Sequence, residues 1–260
     1  LMKNLLYYNT MITIKINNEE IVLFGNVNGH YKSNNRTISK FNRIAKIGQD
    51  YNKIYSKLIS FLKGKNELKQ RLAYACLLML ESGIRIGNEK SSEGYISKVK
   101  GYEGQEVQTY GLTTLKPEHI KFENDKLYLD FVGKKLVDQL IEINNPLLIE
   151  YGKKFYELNK NKETWLSIND YELTKFVKKY FGRKFIPKDL RVLRANITGF
   201  NVSKDIMLRD KPLKRREAKA ELKEICERTS EVLGNTPQIC KKSYLDSRLL
   251  SHHLEERLRK

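Results

Sequence analysis

Metal-binding and redox signatures are sparse in this chain. It has three cysteines, Cys76, Cys226 and Cys240, which are odd in number and far apart, and it contains no CxxC pair and no HExxH stretch. A structural or catalytic metal therefore has little support, and no cofactor is expected. Two of the cysteines lie within apolar helical patterns, so buried free thiols are expected rather than disulfides. No apolar run approaches the length that spans a bilayer. The opening stretch, "LMKNLLYYNTMITIK", lacks a charged leader followed by an apolar segment and a small-residue cleavage site. A soluble, unexported, intracellular protein is expected, with no membrane partner.

Acidic charge is the other shortage. Lys plus Arg number 49 against 31 Asp plus Glu, a formal net charge of +18, and the basic residues run along the whole length. That distribution suits a protein that neutralises phosphates. The plainer readings are a ribosome-associated protein, or a lysine-rich one from an AT-rich genome. Charge does not say whether chemistry follows binding. What the chain does have is enough hydrophobic residue, 40% of 260, to bury a core in one large domain or one domain plus a small one.

Periodicity changes along the chain. In "MITIKINNEEIVLFG", Ile12, Ile14 and Ile16 alternate, Asn17 and Asn18 supply a turn, and Ile21 and Leu23 follow, which predicts a hairpin. From about Ser39 the spacing becomes helical, through Phe41, Ile44, Ile47, Tyr51, Ile54, Leu58, Ile59 and Leu62. "ELKQRLAYACLLMLESG" is apolar nearly all round and reads as a buried helix closed by Gly83. Residues 91–110 show no period and read as a mobile surface loop or insertion. "YGLTTLKPEHIKFENDKLYLDFVGKK" reads as a small antiparallel sheet, with Leu127, Leu129 and Phe131 alternating. Helices are expected at 136–143, 146–158, 169–182, 188–202 and 213–233, the last ended by Gly234. The predicted fold is α+β: a mainly helical domain over 39–260 with one small antiparallel sheet, preceded by a short β-rich segment over 1–38.

Four stretches stand out together: "GIRIGNE" around Arg85, "FVGKK" around Lys134, "KDLRVLRAN" around Arg191, and "LGNTPQICKKSY" ending at Tyr244. With "GLTTLKPEHI" at 111–120, they resemble the type IB DNA topoisomerases of poxviruses, giant viruses and bacteria. The resemblance runs from about Tyr31 to Asp246. Each motif is weak alone; five in the right order are specific. The resemblance implies the catalytic fold shared with tyrosine recombinases and a monomer acting on double-stranded DNA. It implies a tyrosine that forms a 3′-phosphotyrosyl link, a swivel of the nicked strand, and religation without ATP or metal. Localisation would be the bacterial cytoplasm or nucleoid, or association with a virus.

That reaction explains the residue types. A phenol with a pKa of about 10 must lose its proton as it attacks. Arginine forks suit the charged non-bridging oxygens of the transition state, and a lysine beside the leaving 5′-oxygen suits a general acid. By the resemblance Tyr244 is the nucleophile, Arg85 and Arg191 the oxygen clamps, and Lys134 the acid. The bland readings are a packed tyrosine, a cation at a helix C-terminus for Arg85, Arg194 in place of Arg191, and Lys135 in place of Lys134. Asn235 stands where poxviral and cellular members usually carry histidine; bacterial and some viral members also have asparagine. An amide donates a hydrogen bond but shuttles no proton, and Asn235 also reads as a helix cap.

"NGHYKSNNR" resembles the end of the family's amino-terminal domain, of which about 35 to 40 residues precede the catalytic helices, as a reduced clamp or a chain missing its beginning; His30, Tyr31, Lys32 and Arg36 are DNA-contact candidates, against the plainer reading of a polar loop. Asn88, Lys90, Lys135, Lys241 and Lys242 join them. The rival readings are a tyrosine recombinase and a non-catalytic DNA-binding module of the same fold. "PKDLR" lacks the histidine of the recombinase "HxLR", and "LGN" stands where recombinases tend to read "LGH".

Overall fold

The computed structural model describes residues 11–16, 19–24, 36–210 and 214–258. Among them the chain is mostly helical with small antiparallel sheets, the α+β architecture expected from the sequence. It divides into two compact units, one of residues 1–54 with 189–260 and one of residues 55–188.

The first unit begins with the expected hairpin. Strands β1 (Met11–Ile16) and β2 (Glu19–Phe24) pair antiparallel with Ile14 opposite Ile21. Ile14, Ile21, Leu23 and Phe24 are buried. Helix α1 (Arg36–Gln49) packs on both strands with Phe41, Ile44, Ala45 and Ile47. Gly48 permits this contact: a Cβ there would fall 2.1 Å from Leu23 Cδ1. The unit is completed by α7 (Pro187–Met207), α8 (Arg215–Leu233), α9 (Pro237–Ser243) and α10 (Ser247–Leu258). α8 packs on α9 and α10, and α10 reaches β2. A polar network ties three of these helices. His253 of α10 is fully buried, with Nδ1 2.7 Å from Ser203 Oγ of α7 and Nε2 3.1 Å from Glu221 Oε2 of α8. Arg257 holds the same carboxylate at 2.7 Å and donates to the carbonyls of Arg209 and Asp210.

α2 (Tyr51–Leu62) follows α1 in the chain. The second unit is centred on α3 (Glu67–Ser82), capped by the Asn66 side chain and closed by Gly83 in the left-handed conformation, φ 67°. α3 is buried along most of its length, as its all-round apolar sequence requires. It packs on α5 (Pro146–Asn159) and α6 (Asp170–Phe181). Tyr74, Phe155 and Trp165 form the aromatic centre, with Tyr74 edge-on to both partners at 5.2 and 5.6 Å. Their polar atoms are satisfied: Tyr74 Oη donates to Leu148 O, and Trp165 Nε1 to Gly152 O. A short helix, α4 (Glu89–Glu93), precedes two-residue strands β3 (Tyr95–Ile96) and β4 (Glu106–Val107). The span read as irregular thus contains one helical turn and a short ladder.

Three strands form the larger sheet: β5 (Ile120–Glu123), β6 (Lys126–Gly133) and β7 (Val137–Ile143), antiparallel in that order. β7 corrects the expected helix over 136–143. Val137, Leu140 and Ile141 mimic helical spacing, but the segment pairs with β6 along its whole length, from Gly133 opposite Val137 to Leu127 opposite Ile143. A three-residue turn with Lys135 and Leu136 at positive φ feeds that pairing. Its consequence is that Val137 and Leu140 stay exposed while Gln139 and Ile143 point inward. α7 also extends beyond its expected end, to Met207.

Candidate active site

Tyr244 caps the C-terminus of α9, with φ −126° and ψ −42°. Both ends of α9 are set locally. Pro237 starts it, the Thr236 side chain caps its N-terminus, and the amides of Tyr244 and Leu245 both fold back onto Cys240 O at 2.9 and 3.0 Å. The turn that follows is held from several elements. Asn196 of α7 donates from Nδ2 to Tyr244 O at 2.9 Å and accepts from Asp246 N at 2.9 Å. Lys40 Nζ of α1 donates to Ser243 O at 2.9 Å. The Asp246 carboxylate is paired with Arg248 at 2.7 Å, and Arg248 also donates to Phe24 O of the hairpin.

Arg191 lies with its guanidinium carbon 5.0 Å from the centroid of the Tyr244 ring, within cation–π range. It is 2% exposed, and Nη2 donates to Leu233 O at 2.5 Å, so the last turn of α8 fixes the guanidinium. Arg194, the competing arginine one turn on, has a buried Nε with no hydrogen-bond partner. Gly234 ends α8 with φ 55°, and the Asn235 amide N–H closes the turn onto Ser230 O at 3.1 Å. Asn235 therefore caps through its backbone. Its side-chain Nδ2 and Oδ1 are both buried without a partner. Leaving such a group unsatisfied costs about 1–3 kcal/mol.

Arg85 and Lys134 belong to the second unit, where one backbone frame carries both. Leu112 N donates to Arg85 O at 2.8 Å, and Thr113 donates from N and from Oγ1 to Ile86 O, each at 2.7 Å. Gly111 lies so close that a Cβ on it would fall 2.5 Å from Gly87 N. "GLTT" is thus the backing that fixes the backbone from the Arg85 carbonyl to Gly87. One residue earlier, Tyr110 N donates to Val132 O of β6, the strand that ends at the lysine turn. Arg85, Gly87, Asn88, Tyr95, Tyr110 and Lys134 line one open cleft of about 480 Å³. Lys134 is exposed at the first position of the turn. Lys135 sits beside it in the left-handed conformation and does not line the cleft.

The remaining candidates scatter. Asn88 precedes α4 without capping it through its side chain, and Lys90 is exposed on that helix. Lys241 and Lys242 are exposed in the last turn of α9, where cations complement the helix dipole. Arg36 opens α1. His30, Tyr31 and Lys32 lie outside the described residues. All three cysteines are free and buried, and burial pushes the Cys240 thiol up to about 12, with the Arg191 charge working the other way. Among the described residues no group of three His, Cys, Asp or Glu side chains could hold a metal ion, and no helix is long and apolar enough to cross a membrane.

Sequence reasoning passed over Asn196, Lys40 and Gly199. An asparagine and a glycine inside a helix each carry a signal, because both disfavour helix interiors unless packing or hydrogen bonding recruits them. Lys40 carried none, being one of 49 basic residues.

Comparison with known proteins identifies the family. A family model described as the catalytic core of eukaryotic DNA topoisomerase I matches residues 29–256. The chain is 24% identical over 150 residues to a DNA topoisomerase 1B of Acanthamoeba polyphaga mimivirus, covering 53% of this chain and 45% of that protein. It is 26% identical over 221 residues to a DNA topoisomerase 1 of Rabbit fibroma virus (strain Kasza), covering 80% of this chain and 61% of that protein. The chain thus spans about half to three fifths of the length of these relatives.

Proposed function

The chain belongs to the family of the eukaryotic DNA topoisomerase I catalytic core, and from that membership we propose that it relaxes supercoiled double-stranded DNA through transient single-strand cleavage. Tyr244 attacks a phosphodiester, its phenolic proton passing to solvent, and remains linked to the 3′-phosphate, while the 5′-oxygen leaves as a hydroxyl. The nicked strand swivels, and the hydroxyl attacks back to release the tyrosine. Arg85 and Arg191 bind the non-bridging oxygens, where bidentate donors meet charge that grows in the transition state. Lys134 gives its proton to the leaving oxygen and recovers it on religation. Asn235 donates an uncharged hydrogen bond. Because the phosphotyrosyl bond conserves the energy of the broken one, the scheme needs neither ATP nor metal. His30, Tyr31, Lys32, Arg36, Asn88, Lys90, Lys135, Lys241 and Lys242 are the proposed contacts to the DNA.

The observation that carries this reading is Arg191 stacked on Tyr244, 5.0 Å from the ring centroid and tied down by Leu233 O. The buried guanidinium sets a phosphate-binding fork of donors beside the proposed nucleophile. The test is relaxation of supercoiled plasmid in EDTA by the chain alone, with capture of the covalent adduct on a suicide-cleaved duplex. Relaxation is expected, with the adduct at the 3′ end of the broken strand, and Tyr244→Phe should bind DNA yet form no adduct. Strand exchange that needs a protein partner would favour a recombinase. Binding without any adduct would favour a non-catalytic module. An adduct at a 5′ end, or one surviving Tyr244→Phe, would overturn the assignment of Tyr244.

A further inference from the structure

Two peptide planes flank the Cα of Tyr244, and each is pinned by a side chain from a distant part of the chain. The plane before it carries Ser243 O, which accepts from Lys40 Nζ at 2.9 Å across 203 residues of sequence. The plane after it carries Tyr244 O, which accepts from Asn196 Nδ2 at 2.9 Å, and the next amide, Asp246 N, donates to the same asparagine. The backbone has only two soft torsions per residue. Fixing both planes fixes φ and ψ of Tyr244, and with them the direction of its Cα–Cβ bond. What freedom remains lies in the side-chain torsions, over which the Arg191 guanidinium is stacked.

Lys40 is anchored for this task. Its neighbour Phe41 is 4% exposed in the core under the hairpin, and the Lys40 ammonium lies 4.1 Å from that ring's centroid. Ser243 O belongs to the last turn of α9, whose carbonyls have no partner further along the helix. An ammonium donating there makes a charge-assisted bond and also complements the negative end of the dipole. The lysine is half-buried, and its ammonium serves the backbone of the tyrosine turn.

We propose that Lys40 is a positioning residue for Tyr244, setting the peptide plane in front of the nucleophile and through it the approach of the phenol to phosphorus. The inference rests on the reading of Tyr244 as the nucleophile. It ties the amino-terminal hairpin and α1 to the chemistry by a route other than DNA contact, because α1 holds its place by packing on β1 and β2.

The experiment uses the full chain with Lys40→Met, which keeps the stem and removes the ammonium, and Lys40→Arg, which keeps a charged donor. A misplaced nucleophile loses the cleavage and religation transition states alike. Lys40→Met should therefore slow single-turnover cleavage and religation at saturating DNA by the same factor, about ten- to a hundredfold. The covalent fraction at equilibrium should stay unchanged. DNA affinity, measured on a Tyr244→Phe background, should also stay unchanged, and Lys40→Arg should recover most of the rate. A substrate with sulfur in place of the leaving 5′-oxygen should not rescue Lys40→Met. Where Lys40→Met melts early, Lys40→Gln, with its uncharged donor, decides by the same readouts. Weaker binding with an unchanged saturating rate would make Lys40 a phosphate contact and overturn the proposal. Rescue by sulfur would make it an acid, and unchanged rates would remove it from the site. Wild-type protein that forms no adduct at Tyr244 would instead refute the function on which the inference rests.

Discussion

Gly199 of α7 and Leu245 are in contact: a Cβ on the glycine would fall 2.5 Å from Leu245 Cδ2. Leu245 is 2% exposed and follows Tyr244 directly, so any shift it makes is passed to the tyrosine. Gly199→Ala gains about 1 kcal/mol of helix propensity, against about 1–3 kcal/mol lost to overpacking. Net stability is expected to change little or fall modestly, as read by urea unfolding. Cleavage should fall far more, by up to about a hundredfold for a displacement near 1 Å, as read by single-turnover cleavage. A variant equally active and equally stable would mean that Leu245 yields without moving the turn.

The position of Lys134 at the cleft predicts a specific rescue. Lys134→Ala should be slow on ordinary DNA by about two to four decades, the range of general acid catalysis. It should be near normal when the leaving 5′-oxygen is sulfur, which departs without a proton. Lys135 stands outside the cleft lining, so Lys135→Ala should show neither the defect nor the rescue. The reverse pattern would shift the acid by one residue.

Asn235 holds a buried amide with no internal partner. As a donor to a charged oxygen it should contribute about 1.5–3 kcal/mol, so Asn235→Ala should slow cleavage by about one to two decades. Asn235→His should keep substantial activity, because imidazole also donates. The pH profile separates the two. Wild-type cleavage should show no group titrating near about 6.5, while Asn235→His introduces one. An apparent pKa there in the wild type would require a histidine in the site. Two nearby in sequence are engaged elsewhere: both ring nitrogens of His253 face Ser203 and Glu221, and the His252 ring lies 5.6 Å from that of Phe24.

Stability should itself depend on pH through His253. Burial holds its pKa below the ordinary 6.5, although the Glu221 carboxylate pulls it up; the Arg257 and His252 charges add to the lowering. The folded protein therefore keeps this ring neutral in a range where the unfolded chain protonates it. Stability is full above 6.5 and is lost as pH falls from there towards the lowered folded value. Burial lowers the pKa of His119 as well, and it should add in the same direction. Thermal unfolding between about pH 7 and about pH 5 should show the decline, and His253→Gln should flatten it. A protein that gains stability on acidification would show that Glu221 dominates and that the ring is charged.

The sequence made the hairpin, α3 and the edges of most helices legible, because alternation, all-round apolarity and terminal glycines each reflect one physical cause. It misled at β7, where Leu140 and Ile141 imitate a helical stripe and only pairing with β6 decides the outcome. The candidate site residues were picked out through short motifs. Their supports were not, since Ser243 O is 203 residues from Lys40 in sequence and a backbone acceptor leaves no mark in it. "GLTTL" lay between these cases: visible as a motif, but explained only by the approach of Gly111 to Gly87.

The two compact units differ in how the chain visits them. Residues 55–188 form one unbroken stretch, while the unit that holds Tyr244 is assembled from residues before 55 and after 188. The continuous unit can fold as it leaves the ribosome. The other has to close a loop of that whole stretch before Lys40 meets Ser243 or Phe24 meets Arg248. A nascent chain that has finished α7 already carries Arg85, Lys134 and Arg191, but the tyrosine turn and its supports come together only once α9 and α10 have followed. The turn at Tyr244 thus forms only after the chain has passed through the whole of residues 55–188 and come back to the unit it began.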